Sequence, residues 1–180
     1  PAGRPDRALD WLRPVMRKCD ELGVVVLIHT GDGPYSIPTQ FYPIIREFPN
    51  VNFVIGHFGV QTGGVYCFEA FWMIMDSPNV YGESGWLLQS RIVEFAKEMP
   101  RDRLVFGTDS PPNDPGMWLT HLEVLCHEPP QGLSIDEDQL EDYMGNNIAR
   151  LVGITPTAPP ATVEDAKQQL ADGSCGMPIA

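Results

Sequence analysis

The amino-acid sequence predicts an α/β fold in which four strand–helix units follow one another and form part of a (β/α) barrel. Short apolar runs alternate with longer stretches of helical periodicity, the order that produces a parallel sheet covered by helices. Each apolar run ends in a polar side chain, and the intervals from His29 to His57, His57 to Glu83 and Glu83 to Asp109 are 28, 26 and 26 residues. One strand–helix unit occupies about 30 residues. Polar groups at successive strand ends are typical of a barrel whose active site lies at that edge.

The first part of the chain contains the first two predicted strands and the helices before them. Apolar positions three and four residues apart predict a helix from Arg7 to Leu22, which Gly23 ends and which Pro14 should kink or begin. The run from Val24 to Ile28 is apolar and mostly β-branched, as in a strand buried on both faces. A short helix from Thr39 to Glu47 follows and leads to the second strand, Phe53 to Ile55.

Two further strand–helix units complete the repeated pattern. A helix from Phe68 to Met75 precedes a weaker strand from Val80 to Gly82. A helix from Leu88 to Lys97 then leads to the fourth strand, Leu104 to Phe106. Two prolines follow the polar end of this strand, so we expect an irregular loop before the next helix, Met117 to His127.

A last helix should pack against these units before a proline-rich tail. Ser134 and Glu137 form a predicted capping box, in which the serine caps the helix and the glutamate reaches back to it. We therefore expect a partial-barrel domain over residues 1–154, and a proline-rich linker with a peripheral tail over residues 155–180. The apolar face of the last helix comprises Leu140, Tyr143, Met144, Asn147 and Leu151.

Composition restricts the class of protein and its partners. The chain has 180 residues, of which 43% are hydrophobic, enough for one globular domain. Its net charge of -12 disfavours a nucleic-acid partner. No segment approaches the ~20 apolar residues of a membrane span, and no signal peptide is visible. The four cysteines are widely spaced, as expected of free thiols in a reducing cytoplasm. We therefore expect a cytoplasmic protein that binds neither nucleic acid nor membrane.

Three of the polar strand ends could form a metal site: His29, His57 and Asp109. A carboxylate at the end of a buried strand must be solvated, paired or metal-bound, because desolvating a lone charge is costly. Imidazole nitrogen and carboxylate oxygen suit zinc, manganese or iron. Such a metal lowers the pKa of bound water toward about 7, and a nearby base can then deprotonate that water. Each residue alone could be structural, but three at matched strand ends favour a shared site.

Two further residues are candidates for contacting a substrate. Glu83 ends the third strand, where a solvated or structural carboxylate is an equal alternative. Trp86 lies in the following loop, where it could line a substrate pocket. The other tryptophans considered, Trp72 and Trp118, are predicted in the core or at the barrel mouth.

Five short segments carry a family resemblance through their order and spacing: VLIHTG, FVIGHFG, PNVYGESGW, RLVFGTDSP and MGNNIARLVGI. From about Leu9 to Ile154 the chain resembles the carboxyl-terminal part of the amidohydrolase-related family, the amidohydrolase 2 group that contains aminocarboxymuconate semialdehyde decarboxylase. The resemblance implies a TIM barrel in which His29 and Asp109 bind a divalent metal, zinc first, with manganese or iron as alternatives. It also implies that His57 acts as acid or base on the metal-bound water or the substrate, with Asp109 completing the catalytic group.

The resemblance covers only strands five to eight of an eight-stranded barrel, followed by the C-terminal helix and tail. In the family, the first strand supplies a His-x-His or similar pair of further metal ligands, and no such pair occurs in this sequence. A closed barrel needs about 250 residues, and an open half-barrel would expose two apolar sheet edges. The sequence also begins without methionine. We therefore expect a missing amino-terminal segment, a partner chain or homo-oligomer formation to complete the barrel.

Three hypotheses about function remain open. The first is a metal-dependent hydrolase of the amidohydrolase superfamily, whose metal-activated water attacks a small organic substrate. The second is a nonoxidative decarboxylase, although relatives of that kind often have Gly-Glu where this chain has Phe58-Gly59-Val60 after the sixth-strand histidine. The third is a noncatalytic half-barrel subunit. A doubly wound α/β domain is a weaker structural alternative, because no glycine-rich nucleotide motif occurs.

Overall fold

Four parallel strands form a single sheet in the computed structural model, which describes residues 7–34, 36–60, 64–155 and 168. The strands pair in the order in which they occur in the sequence. This order belongs to a (β/α) barrel, whereas a doubly wound sheet reverses its strand order. The predicted α/β fold, a partial TIM barrel of four parallel strand–helix units, is therefore confirmed. The strands are β1 (Val26–His29), β2 (Phe53–Gly56), β3 (Val80–Glu83) and β4 (Leu104–Val105).

Helices connect successive strands, with small differences from the predicted boundaries. The first helix continues through Pro14 and does not begin there. The second predicted helix is divided into a 3-10 turn over Pro38–Phe41 and a shorter α-helix. The helix after β4 likewise ends in a 3-10 turn over Val124–Cys126. The α-helices are α1 (Arg7–Leu22), α2 (Tyr42–Glu47), α3 (Cys67–Asp76), α4 (Gln89–Ala96), α5 (Pro115–Glu123), α6 (Glu137–Glu141) and α7 (Asn147–Val152).

The hydrophobic core lies between the helices and one face of the sheet. Phe53 and Ile55 of β2 are fully buried in this core, whereas Val54, on the opposite face of the strand, lines a cavity. An aromatic stack continues the core beside the end of β2: the ring centroids of Phe58 and Phe95 are 5.4 Å apart. The loop that follows β2 is thus packed onto the core at the edge where the predicted site lies.

The two edges of the sheet differ in how their backbone groups are used. β1 pairs with β2 alone, and its Leu27 side chain is 67% exposed. At β4, the Phe106 N–H donates to the Tyr143 carbonyl at 3.0 Å, and the Leu104 carbonyl accepts from Asn147 Nδ2 at 2.7 Å. The expectation of two bare edges is therefore wrong for β4, because the segment before and within α7 folds back onto it.

Two local predictions are also wrong. Ser134 does not cap the next helix, because it adopts a positive φ of 52° and Asp136 takes that position. The Asp136 carboxylate accepts a hydrogen bond from the Gln139 N–H at 2.8 Å. Trp72 lies on the outward side of α3 and is 65% exposed, so it belongs neither to the core nor to the barrel mouth.

The predicted linker and tail fall almost entirely outside the residues that the structure describes. The proposed linker and tail, residues 155–180, lie outside the described residues except for positions 155 and 168. Among the helices that are described, none has the length and apolar character required to cross a bilayer.

Candidate active site

The carboxyl ends of the strands surround a cavity of about 670 Å³ on the inner face of the sheet. The register aligns His29 with Gly56 and Glu83 with Val105, so the polar strand ends lie along one edge. Val54 and Val105 supply apolar wall from the strands themselves. Four of the five predicted site residues line this cavity: His29, His57, Glu83 and Asp109.

The turn after β2 holds His57 in a left-handed backbone conformation. His57, Phe58 and Gly59 have φ angles of 59°, 49° and 72°, which only glycine adopts without steric cost. The His57 N–H donates to the Glu83 carboxylate at 2.7 Å, and the Gly59 N–H donates to the Thr30 hydroxyl at 3.0 Å. These bonds compensate for the strained turn, which presents the imidazole to the cavity.

The His57 ring lies between two carboxylates. Its Nε2 is 3.9 Å from Asp109 Oδ1, and its Nδ1 is 3.5 Å from Glu83 Oε2. Both separations exceed the ~3.2 Å limit of a good hydrogen bond, and Nδ1 is buried without a hydrogen-bond partner. The ring centroid of His29 is 5.0 Å away. The imidazole is therefore close to both acids and to the second histidine without being hydrogen-bonded to any of them.

His29 provides a more exposed imidazole at the end of β1. Its Nε2 is 2.7 Å from Asp32 Oδ2, and about half of each side chain is exposed. The next residue, Thr30, is fully buried, and its hydroxyl donates to the Gly56 carbonyl at 2.7 Å. The end of β1 is therefore hydrogen-bonded to the end of β2, and Asp32 orients the His29 ring.

Asp109 also has a left-handed backbone, with φ of 53°. Its Oδ2 accepts a hydrogen bond from the Trp86 indole N–H at 2.9 Å, while Oδ1 is the oxygen nearer His57. The Trp86 ring lies 6.4 Å from the buried Trp118 ring. Trp86 thus contacts a predicted metal ligand and is not among the residues that line the cavity. Its role toward a substrate stays a prediction.

Glu83 is enclosed by backbone, with 12% of its side chain exposed. One carboxylate oxygen accepts from the His57 N–H at 2.7 Å, and the other accepts from the Gly85 N–H at 2.5 Å. Gly107 passes so close that a β-carbon at that position would overlap the carboxylate. Both oxygens are hydrogen-bonded to the protein, and a substrate contact by Glu83 likewise stays a prediction.

The donor types fit a divalent cation, but the number of donors is small. Imidazole nitrogen from His29 and carboxylate oxygen from Asp109 are ligands that zinc and manganese accept. Within the described ranges, no three histidine, cysteine, aspartate or glutamate side chains are grouped so as to hold a metal ion. Catalytic zinc sites use about three protein ligands. The described residues therefore do not form a complete metal site, and metal binding by His29 and Asp109 stays a prediction.

Sequence reasoning missed the groups that support the site from beneath. Thr30 looks like an ordinary loop residue, since its burial depends on the neighbouring strand. A β-carbon on Gly82 would overlap the Phe58 ring, so this glycine lets the ring pack under the sheet. The available signal was a glycine inside a predicted strand, which often marks the close approach of another group.

Comparison with known proteins identifies the family. The sequence profile described as amidohydrolase matches residues 1–154. No curated protein sequence matches the chain. Twenty or more solved chains share its fold, and the three described next are each at or below 22% identity.

The similar solved structures include an uncharacterised TIM-barrel protein, a hydratase and a decarboxylase. An uncharacterised TIM-barrel protein from Bordetella bronchiseptica is 22% identical, with a TM-score of 0.62 over 79% of this chain and 50% of its own. A 4-oxalomesaconate hydratase from Rhodopseudomonas palustris is 15% identical, with a TM-score of 0.54 over 91% of this chain and 53% of its own. A dihydroxybenzoic acid decarboxylase from Polaromonas sp. JS666, containing bound manganese and the inhibitor 2-nitroresorcinol, is 13% identical. Its TM-score is 0.52 over 78% of this chain and 53% of its own.

This chain spans about half the length of the solved relatives that it matches. The family consists of metal-dependent enzymes that include decarboxylases and a hydratase. Because these structures share 22% or less of their sequence with this chain, the structural similarity by itself shows only the fold. The profile match covers most of the sequence and agrees with the four parallel strands and their polar carboxyl ends. The chain therefore belongs to the amidohydrolase family.

Proposed function

We propose that this chain is the carboxyl-terminal half of a metal-dependent hydrolase that acts on a small organic substrate. One observation carries the proposal: three groups far apart in sequence lie together on one cavity. His57 is 3.9 Å from Asp109, and its ring centroid is 5.0 Å from that of His29. Two imidazoles and a carboxylate in this arrangement supply metal ligands and an acid–base group to one reaction centre.

His29 and Asp109 would hold the metal, and zinc is the ion that we favour. Manganese is the leading alternative, since it is bound in one solved neighbour, and iron has the same donor preference. A bound divalent cation supplies a Lewis acid that polarises the reacting group and acidifies water. Trp86 supports this arrangement by donating its indole N–H to one oxygen of Asp109.

His57 is the acid–base group of the proposed reaction. Its side chain faces the cavity, and the distances from Nδ1 to Glu83 and from Nε2 to Asp109 both exceed the normal range of a hydrogen bond. The imidazole can therefore accept a proton from water and return one to a leaving group. The apolar wall formed by Leu27, Val54 and Val105 suits a substrate with a hydrocarbon or aromatic part.

Nonoxidative decarboxylation is the second candidate reaction, and the segment after His57 argues against it. Phe58 and Val60 are buried, and no acidic residue occurs from Phe58 to Gly64. An acid in this segment, in addition to Glu83 and Asp109, would help to protonate the carbanion that decarboxylation leaves. The apolar cavity wall favours loss of charge from a carboxylate, however, so decarboxylation remains the alternative to test.

The complete enzyme requires more sheet than this chain contains. The available edge of β1 and the incomplete set of metal ligands support completion of the barrel by another segment. An amino-terminal segment of the same protein is our first choice, followed by a separate partner chain and then by a second copy of this chain. Any of these would supply the remaining ligands from strands adjoining β1.

Metal analysis and one substitution test the proposal. The chain, alone and together with any segment that completes the barrel, is assayed for bound zinc, manganese and iron. The assembled protein is then assayed with aryl esters for hydrolysis, and with 2,6-dihydroxybenzoate and 5-carboxyvanillate, the substrates named for two solved neighbours, for decarboxylation. We expect His57→Ala to reduce turnover by about 100-fold or more with metal content unchanged.

The exposed His127 provides a matched control, and His127→Ala should retain full turnover. Unchanged turnover in His57→Ala would remove His57 from the mechanism. Release of CO₂ from either aryl acid, with no ester cleavage, would select the decarboxylase. A folded protein without metal in every sample would support the third alternative, a noncatalytic half-barrel subunit.

We also assign the protein to the cytoplasm. Cys19, Cys67 and Cys126 are free thiols, as expected in a reducing compartment. Export of the protein with oxidised thiols would contradict this assignment.

A further inference from the structure

We propose that Glu83 is a positioning residue, whose buried carboxylate fixes the backbone turn that carries His57. The inference deepens the proposed function and rests on it, because it takes His57 to be the proton-transfer group. It assigns β3, which contributes none of the proposed metal ligands, a defined part in the site.

The first argument is that both Glu83 oxygens are already hydrogen-bonded. One accepts from the His57 N–H at 2.7 Å and the other from the Gly85 N–H at 2.5 Å. An ionised carboxylate is an acceptor only, and its bonds to backbone N–H groups are charge-assisted and short. Each oxygen therefore accepts one backbone N–H, and the two bonds join the carboxylate to the backbone on either side of it.

The second argument is the conformation of the turn that receives one of these bonds. His57 and Phe58 both have positive φ angles, 59° and 49°, although neither is glycine. Such residues keep a strained backbone only where surrounding contacts determine it. Thr30 holds Gly59 and the core encloses Phe58, so Glu83 supplies the remaining contact, at the histidine itself.

The third argument is that two glycines leave room for this side chain. A β-carbon on Gly107 would overlap the Glu83 carboxylate, and one on Gly85 would lie 2.6 Å from Glu83 Oε1. The carboxylate thus lies in a slot bounded by two glycines, and 12% of the side chain is exposed. The slot fits the Glu83 carboxylate closely, so the backbone around it fixes the position of this side chain.

Amide hydrogen exchange on the ¹³C,¹⁵N-labelled 180-residue chain tests the inference without a substrate. In Glu83→Ala, we expect protection of the His57 amide to fall by about tenfold or more, while the Ile55 and Val80 amides keep theirs. The His57 ring should change its Hε1–Cε1 cross-peak in the same variant. Glu98→Ala, at an exposed position, is the matched control and should change neither.

Glu83→Gln supplies the second measurement, and it decides the question if Glu83→Ala does not fold. One amide oxygen can serve only one of the two donors, so we expect the His57 or Gly85 amide, but not both, to remain protected. Unchanged His57 protection and cross-peak in Glu83→Ala, or full protection of both amides in Glu83→Gln, would overturn the inference. Failure of the proposed function is a separate result, because it appears as unchanged turnover in His57→Ala while the Glu83 effects on exchange persist.

Discussion

Thr30→Val should destabilise the protein while leaving its shape almost unchanged. The Thr30 hydroxyl donates to the Gly56 carbonyl at 2.7 Å and accepts from the Gly59 N–H at 3.0 Å, and the residue has no exposed surface. Valine replaces this hydroxyl by a methyl group of similar size. Two backbone groups on either side of His57 then lose this hydrogen-bond partner in a place that water does not reach.

The expected loss of stability follows from the Gly56 carbonyl and the Gly59 N–H. A buried donor or acceptor left unsatisfied costs about 1–3 kcal/mol, so the pair predicts a loss of about 2–6 kcal/mol in the free energy of unfolding. Thr30→Ser is the matched control, since it keeps the hydroxyl and removes one methyl group, at about 1 kcal/mol. Valine should therefore be worse than serine, although it is the more hydrophobic of the two side chains.

Urea unfolding followed by circular dichroism measures both variants against the unmodified chain. The reasoning is refuted if Thr30→Val lies within about 0.5 kcal/mol of the unmodified protein, or if serine is the more damaging substitution. Either result would mean that the two backbone groups find other partners, so that the ends of β1 and β2 are not held together by this hydroxyl.

Three further substitutions give independent tests. Gly82→Ala forces a β-carbon into the buried ring beneath it; we expect a loss of about 1–3 kcal/mol in urea unfolding, and full stability would contradict the packing. Trp86→Phe removes the indole donor to the proposed metal ligand, so Mn²⁺ affinity of the assembled protein should fall by about tenfold or more; equal affinity in a titration would argue against it. Burial raises the pKa of Asp142, but hydrogen bonds from Arg101 and Arg150 outweigh it and lower the pKa below its ordinary value. The ionised Asp142 therefore stabilises the fold above its unfolded pKa of about 4, and this stabilisation is lost as pH falls through the folded pKa. Asp142→Asn should accordingly be less stable than the unmodified chain at neutral pH and nearly equal to it in acid. A difference in stability that does not depend on pH would refute this.

The sequence was sufficient to predict the sheet and the positions of its polar ends. Apolar runs bounded by glycine and proline identify β1 to β4, because strands of a parallel sheet are largely apolar. The expected burial of β1 on both faces is wrong, however, since Leu27 is 67% exposed at the edge of the sheet. The regular interval between His29, His57, Glu83 and Asp109 follows from the repeated unit, and these four residues do line one cavity. The spacing of apolar and polar residues along the chain is visible in a single sequence, and it was therefore predictable.

The direction taken by each polar side chain could not be predicted in the same way. Glu83 turns into the protein because Gly107, on the next strand, leaves a slot beside it. Trp86 reaches Asp109 because both residues have positive φ angles, which no local pattern near them demands. The Asp136 cap was missed for a simpler reason: two adjacent segments offered capping residues, and the positive φ of Ser134 excluded the first.

The unequal edges of the sheet determine how a strand could join it. At β4, an arriving strand must break the bonds that the Phe106 amide and the Leu104 carbonyl already make, and so it exchanges old bonds for new ones. At β1, the described residues include no strand on the outer side, so a strand added there would displace no described pairing. If a further segment completes the barrel as we propose, addition beside β1 is therefore favoured, whereas pairing at β4 requires Tyr143 and Asn147 to move aside first.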